Sequence, residues 1–161
     1  LILFTNNRDA SRNLHKQFEH GLTQKTYLCK VHGHPQWDES LCDLPISRQT
    51  CSAGSRDVDE EQGDPASTQF KVLSRNDDGT SLVEAVPLTG RTNQIRVHLW
   101  KMDFPIVGDP TYLTNQESGK SQTLSVDDPG MALHSWKITI NHPTHNEKVS
   151  YETPKPDWAN N

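Results

Sequence analysis

The chain has few apolar residues and no long apolar run. Of its 161 residues, 32 % are hydrophobic and 7 % are aromatic, and the mean hydropathy is −0.80. A membrane-spanning helix needs about 20 consecutive apolar residues, which this sequence nowhere offers. A chain of this length can still bury about 70 % of the surface that it exposes when unfolded. We therefore expect one domain with a polar surface, a thin core and no transmembrane helix.

Cysteine is scarce as well. The three residues of this type, Cys29, Cys42 and Cys51, are odd in number and lack the spacing of a metal site. An odd count without such spacing favours reduced thiols over a disulfide framework. Reduced thiols indicate a cytoplasmic location.

Sequence patterns for metal ligation and covalent catalysis are missing too. The histidine pairs His32/His34 and His142/His145 flank turns, and neither forms the helical i, i+4 pair with a glutamate that binds zinc. The chain has no G-x-S-x-G elbow and no G-x-x-x-x-G-K phosphate loop. We expect no metal and no serine nucleophile.

The net charge of −5 comes from one short segment. Residues 57–64, DVDEEQGD, hold five acidic residues and no basic one, so the rest of the chain is neutral overall. A block of like charge is typical of a solvated loop. We predict a mobile acidic loop over residues 52–66 that points away from any site, and a binding surface must then be sought in local patches.

The first half of the chain is predicted to begin with a strand and a helix. The apolar run LILF indicates a buried strand, and because a chain seldom starts by burying itself, we expect the domain to begin upstream of Leu1. Asn6 or Asn7 can cap a helix that ends near Phe18. The inner stripe of that helix is predicted from i, i+4 spacing to comprise Ala10, Leu14 and Phe18.

Alternating residues predict the remaining strands. Residues 25–33 read as a strand, with a short strand expected over 41–46. Two hairpins are expected, one over 68–86 around the Asp-Gly pair of NDDGT and one over 136–152. With a second helix from Thr92 to about Met102, whose buried stripe is Ile95, Leu99 and Met102, the pattern gives an α+β fold with a mostly antiparallel sheet.

The segment LTGRTNQIRVHL, residues 88–99, is the most informative in the chain. Arg91 and Arg96 follow a glycine and stand among hydroxyl and amide side chains. An arginine stays protonated, so it can orient a carboxylate or grip a phosphate but cannot act as a base. From the residues alone, these arginines are either members of structural ion pairs or ligands for sugar, base and phosphate groups of a nucleic acid.

Four segments carry a resemblance to a known family. PLTGRTNQIRVHL followed by FPIVGDPTY resembles the third motif region of the RluA-type RNA pseudouridine synthases, and QKTYLCKVHG resembles their second motif. LILFTNNRDASRNLHKQF is similar to the strand and helix after their first motif, and MALHSWKITINHP to a region near their C-terminus. The resemblance implies one catalytic domain over residues 1–161, incomplete at its N-terminal side, with a bent, mostly antiparallel mixed sheet and a few flanking helices.

The resemblance also implies a reaction, in which a uridine of structured rRNA or tRNA is isomerised to pseudouridine by a monomeric enzyme without a cofactor. Tyr27 would pack against the target base, Arg96 would pair with the essential aspartate, and Leu133 would form the apolar wall of the uracil pocket. The RNA side would be lined by Arg91, Thr92, Asn93 and Gln94.

Two departures from the family pattern affect the expected activity. The motif with the catalytic aspartate would lie upstream of Leu1, and none of Asp9, Asp43 and Asp109 takes its place. Asn93 stands where the family usually has histidine, which predicts altered contact with RNA. We therefore expect this chain alone to be inactive. The alternatives are a non-catalytic RNA-binding module that retains the fold and an acidic protein-interaction domain.

Overall fold

The computed structural model describes residues 1–51, 54–119, 121, 124–125, 127–145 and 147–160. Within these residues the chain forms two α-helices and one six-stranded sheet of order β2-β3-β4-β1-β5-β6. All five strand pairings within these residues are antiparallel, in agreement with the predicted α+β class. The elements are α1 (Arg8–Glu19), β1 (Gln24–His32), β2 (Glu39–Cys42), β3 (Thr68–Arg75), β4 (Thr80–Pro87), α2 (Gln94–Lys101), β5 (Leu133–Asn141) and β6 (Lys148–Glu152).

Both predicted hairpins are confirmed. β3 and β4 are joined by a turn in which Gly79 adopts a positive φ of 79° and the Asp78 carboxylate accepts a hydrogen bond of 3.0 Å from the Thr80 amide. β5 and β6 pair from Lys137 with Glu152 to Asn141 with Lys148. An Asp-Gly pair between β-rich segments specifies such a turn locally, which explains why sequence patterns located the hairpin.

β1 lies at the centre of the sheet because β4 and β5 pair with its two edges. Leu28, Cys29 and Val31 are therefore fully buried. The register with β5 shifts between Thr26 and Tyr27, as in a β-bulge. A bulge re-aims the side chains beside it, and this one lies next to the predicted base-contacting tyrosine.

Helix α1 begins where the sequence predicts. The Asn7 side chain caps it by accepting a hydrogen bond of 2.8 Å from the Ala10 amide. Leu14 packs against β5 as expected, but Phe18 is 43 % exposed and the buried residue beside Leu14 is Gln17. The Gln17 amide exchanges two hydrogen bonds with the Asn141 backbone, of 2.7 and 2.9 Å, so a polar side chain replaces Phe18 on the packed face.

The predicted strand at the chain start is wrong. Residues 1–5 have no strand structure, and Ile2 and Phe4 are 77 % and 89 % exposed. Only Leu1 and Leu3 pack against the cluster beneath α1. The neighbouring strand β5 already has partners on both edges, so this segment adds no strand there, and its Leu1 amino group instead donates a hydrogen bond of 3.0 Å to Ser135 O of β5.

Helix α2 is shorter and more deeply buried than expected. It spans Gln94–Lys101, with Asn93 rather than Thr92 at the N-cap, in a left-handed conformation with φ of 59°. Ile95 and Leu99 pack on the sheet as predicted, whereas Met102 is only half buried. The opposite face is buried as well, because Val97 and Trp100 pack against Ile46, Ala66 and Tyr112 from the flanking loops.

Part of the acidic segment is held by hydrogen bonds. The predicted strand over 41–46 ends at Cys42, and Ile46 instead forms isolated bridges with Val58 and Asp64. Asp57 pairs with Lys101 at 2.9 Å. Asp64 approaches Arg91 to 3.7 Å, so at this residue the expectation that the loop points away from the site is wrong. Mobility of residues 52–66 stays a prediction, and residues 52 and 53 lie outside the described part.

No helix of the described residues is long and apolar enough to cross a membrane.

Candidate active site

A cleft of about 520 Å³ lies between β1, β5 and the loop that precedes α2. It collects side chains that are distant in the sequence, and we refer to it as the cleft. Six of the seven predicted site residues line it: Tyr27, Arg91, Asn93, Gln94, Arg96 and Leu133. The seventh, Thr92, lines a smaller pocket that adjoins the cleft.

Arg96 is fixed in the cleft wall by a buried ion pair. Its Nε and Nη2 donate to the two carboxylate oxygens of Asp109 at 2.7 and 2.8 Å, and its Nη1 donates to Asn93 Oδ1 at 3.1 Å. The guanidinium carbon also lies 4.9 Å from the centre of the Tyr112 ring. These hydrogen bonds use three of the five N–H groups of a guanidinium, which leaves donors for a group that enters the cleft.

Asp109 is an internal partner of Arg96 that the sequence did not reveal. Its side chain is fully buried, and its Oδ1 also accepts the backbone amides of Thr111 and Tyr112 at 2.9 and 3.1 Å. With four donors around it, this carboxylate is saturated and serves to hold Arg96. The only feature of the sequence that could have pointed to this partner was a carboxylate next to a tight turn, in the GDPTY segment after α2.

Tyr27 presents a half-buried ring to the cleft from the centre of the sheet. Burial raises the pKa of its phenol, partly offset by a hydrogen bond with Ser135. The phenol therefore stays protonated at neutral pH. A neutral ring at this place suits stacking against a base and does not suit proton abstraction.

Gln94 has a supporting position even though it borders the cleft. Its Oε1 accepts hydrogen bonds from the Thr89 hydroxyl at 2.7 Å and the Arg91 amide at 2.9 Å. Its Nε2 donates to Ser67 O at 2.9 Å and to Thr68 Oγ1 at 3.0 Å. All four hydrogen-bonding positions of the amide are thus occupied by protein groups. Gln94 shapes the loop that carries Arg91.

His98 continues this network one helical turn further on and was not singled out from the sequence. Its ring is fully buried, with Nδ1 2.9 Å from Thr68 Oγ1 and Nε2 2.9 Å from Leu44 O. Burial lowers the pKa of His98, which favours the neutral ring. The i, i+4 spacing with Gln94 was the available signal, since it places both polar side chains on one helix face.

The cleft carries positive charge. Lys25 and Arg91 border the mouth of the cleft together with Gly90. A Cβ atom added at Gly90 would lie 3.6 Å from Lys25 Nζ, so this lysine stands close to the glycine. Burial lowers the pKa of Lys25, and no carboxylate of the described residues offsets that effect. Among the described residues that line the cleft there is no aspartate or glutamate. A chain of net charge −5 thus has a cationic cleft.

Other features of the described residues are less suited to chemistry. No group of three or more His, Cys, Asp or Glu side chains there could hold a metal ion. A groove of about 470 Å³ on strands β2, β3 and β4 has its lysine, Lys71, already paired with Glu39 at 2.9 Å. The cleft is the candidate active site.

Comparison with known protein families shows which family the chain belongs to. The family model described as RNA pseudouridylate synthase matches residues 1–101. The chain therefore belongs to the RNA pseudouridylate synthase family, as the sequence motifs indicated.

Individual relatives support the same family. The chain is 35 % identical over 143 residues to the dual-specificity RNA pseudouridine synthase RluA of Yersinia pestis, covering 89 % of this chain and 66 % of that protein. It is 31 % identical over 154 residues to the RluA protein of Escherichia coli strain K12, covering 96 % and 67 %. The chain thus spans about two thirds of the length of these curated relatives.

Solved structures show the same fold. Human RNA Pseudouridylate Synthase Domain Containing 1 superposes with a TM-score of 0.75 at 29 % identity, over 94 % of this chain and 62 % of that one. Human RNA Pseudouridylate Synthase Domain Containing 4 gives a TM-score of 0.71 at 24 % identity, over 95 % and 66 %, which bears on the fold alone.

Proposed function

We propose that this chain forms the base-binding cleft of an enzyme that isomerises uridine to pseudouridine in structured rRNA or tRNA. The observation that carries the proposal is the placement of a neutral tyrosine ring and a rigidly held guanidinium in one cationic cleft. Tyr27, Arg96 and Leu133 all line that cleft, although they come from β1, α2 and β5.

The physical demands of the reaction match these groups. Extracting a base from its stack costs a few kcal/mol, and stacking on an aromatic ring returns about 1–3 kcal/mol. Tyr27 supplies such a ring, and Leu133 supplies an apolar wall. Lys25 and Arg91 at the mouth attract the phosphates beside the extracted nucleotide.

Arg96 is proposed to hold and orient the reacting carboxylate with the N–H groups that Asp109 and Asn93 leave unused. A carboxylate in such a site stays ionised only beside a close cation. The described residues that line the cleft include no carboxylate, and Asp109 is saturated. We propose that the aspartate belongs to the motif expected upstream of Leu1, so that the 161-residue chain alone does not turn over substrate.

The experiment is tritium release from RNA carrying 5-tritiated uridine. We expect no release by the 161-residue chain and release by a longer product of its gene that carries an aspartate in the upstream motif. In that longer chain, Arg96→Ala should abolish most release, whereas Arg12→Ala on the exposed face of α1 should not. Turnover by the 161-residue chain, or full activity of the Arg96 variant, would contradict the proposal.

A non-catalytic RNA-binding module is the second candidate, favoured by the lack of a carboxylate in the described cleft lining. Both candidates predict that Tyr27→Ala weakens RNA binding by about 5- to 150-fold, from the loss of one stacking contact. Tyr151→Ala, on the exposed edge strand β6, is the matched control. A longer chain that binds RNA but lacks both the aspartate and tritium release would establish the binding module.

A further inference from the structure

A smaller pocket adjoins the cleft at Gly90. It has a volume of about 230 Å³ and is bordered by three arginines, Arg48, Arg56 and Arg91, and by the carboxylate of Asp64. We call it the arginine pocket. Gly90 and Arg91 line both the cleft and this pocket, so the two are continuous.

The backbone around the arginine pocket is held by specific hydrogen bonds. Ile46 and Asp64 exchange two backbone hydrogen bonds of 3.0 and 2.8 Å, which fixes the segment beside Arg48. The Arg56 amide donates to the Tyr112 hydroxyl at 3.0 Å, and that hydroxyl donates to Arg56 O at 2.9 Å. The main chain that carries Asp64 and Arg56 is therefore held by contacts within the protein.

The charges of the arginine pocket do not cancel. Asp64 contacts Arg48 Nε at 2.8 Å and Arg91 Nη1 at 3.7 Å. The Arg56 guanidinium donates to Arg48 O and has no carboxylate partner among the described ion pairs. Three cations thus face one anion, in a chain whose net charge is −5.

The chemistry of the lining selects the type of ligand. Guanidinium groups bind phosphate oxygens through paired hydrogen bonds, and the Thr92 hydroxyl adds a further donor. The described lining contains no aromatic ring on which a base could stack. The pocket therefore suits a phosphate and does not suit a second base.

We infer that the arginine pocket binds a backbone phosphate of the RNA strand whose uridine occupies the cleft, and that Asp64 competes with this phosphate for Arg48 and Arg91. This inference rests on the proposed function. It also gives Asp64, at the end of the acidic segment, a role. Its carboxylate neutralises part of the charge of Arg48 and Arg91, so RNA that places no phosphate in the pocket is bound more weakly.

The test is the salt dependence of RNA binding by the 161-residue chain, measured by fluorescence anisotropy with a labelled uridine-containing stem-loop. Arg48→Gln and Arg56→Gln should each reduce the slope of log K against log salt by about 0.7 and weaken binding about fivefold at about 0.1 M salt. Asp64→Asn should strengthen binding. Arg56→Lys, which keeps the charge, should retain the wild-type slope.

The exposed pair Arg12–Asp9 of α1, 3.4 Å apart, provides matched controls. Arg12→Gln and Asp9→Asn make the same charge changes and should leave binding as in the wild type. The inference is overturned if the α1 variants change RNA binding as much as the pocket variants do. It is also overturned if neither Arg48→Gln nor Arg56→Gln changes the slope. Binding of inorganic phosphate that is lost in the pocket variants, while their RNA affinity stays that of the wild type, would assign the pocket to free phosphate and also overturn the inference.

The same binding measurements distinguish a failure of this inference from a failure of the proposed function. If the wild-type chain binds RNA and Tyr27→Ala weakens that binding while the pocket variants do not, only the arginine-pocket inference fails. If the wild-type chain does not bind RNA, both fail. Thermal unfolding of each variant shows whether a loss of binding reflects a loss of fold, and Asp64→Asn tests the inference through a gain of binding.

Discussion

Removing the carboxylate of Asp109 leaves the Arg96 guanidinium buried without its counter-ion. The Arg96 side chain is only 10 % exposed and that of Asp109 is fully buried, so water cannot replace the lost partner. Asp109→Ala also leaves the backbone amides of Thr111 and Tyr112 without their acceptor. The substitution therefore creates one unpaired buried charge and two unpaired buried donors.

The expected cost is large for a single substitution. Breaking a buried ion pair by removing one partner typically costs about 3–5 kcal/mol. For a chain of this size each kcal/mol lowers the melting temperature by about 2–4 °C, so a decrease of about 6–20 °C is expected. Asp109→Asn keeps an acceptor for the two backbone amides and should cost less than Asp109→Ala.

Urea unfolding followed by tryptophan fluorescence measures this cost, since Trp100 packs against Tyr112 beside the ion pair. Asp9→Ala, which removes the exposed partner of Arg12, is the control and should leave the midpoint unchanged. The double variant Arg96→Ala/Asp109→Ala should lose less stability than the sum of the single variants. If Asp109→Ala were no more destabilising than Asp9→Ala, the assignment of Asp109 as the partner that holds Arg96 would be refuted.

Three further predictions follow from buried groups. Gln94→Leu should lower the free energy of unfolding by about 1–3 kcal/mol in urea titrations, because it leaves buried donors and acceptors unpaired; a neutral effect would contradict the network. Burial lowers the pKa of His98, so the unfolded chain takes up a proton that the folded chain does not. The free energy of unfolding, measured by urea titration, should therefore fall as the pH drops below about 6.5, and it should fall less steeply in His98→Gln. The same pH dependence in the two proteins would refute this prediction. In the folded protein a thiol reagent should label Cys51, which is exposed, and spare Cys29 and Cys42, because burial raises the pKa of both thiols. Mass spectrometry measures the labelling, and equal rates at all three cysteines would contradict the prediction.

Patterns that depend on neighbouring residues were predictable from the sequence. The hairpin around Gly79, the cap at Asn7 and the central strand β1 each follow from local rules of turn geometry, capping or alternation. The ordered motifs indicated the family, which the family model matches over residues 1–101.

Partners distant in the sequence could not be predicted. Asp109 follows Arg96 by 13 residues, and only the turn after α2 brings its carboxylate under the guanidinium. Gln94 resembles a ligand-binding amide in the motif, yet the packing of α2 against β3 surrounds it with protein donors and acceptors.

The sequence by itself thus determined which side chains this protein has for binding a nucleotide and in which local elements they stand. The tertiary structure decided which of them face the cleft and which hold it together, and it brought Asp64 next to Arg91. The physical reason is that hydrogen bonding and charge pairing are satisfied by whatever group the fold brings within about 3 Å, irrespective of its distance along the chain.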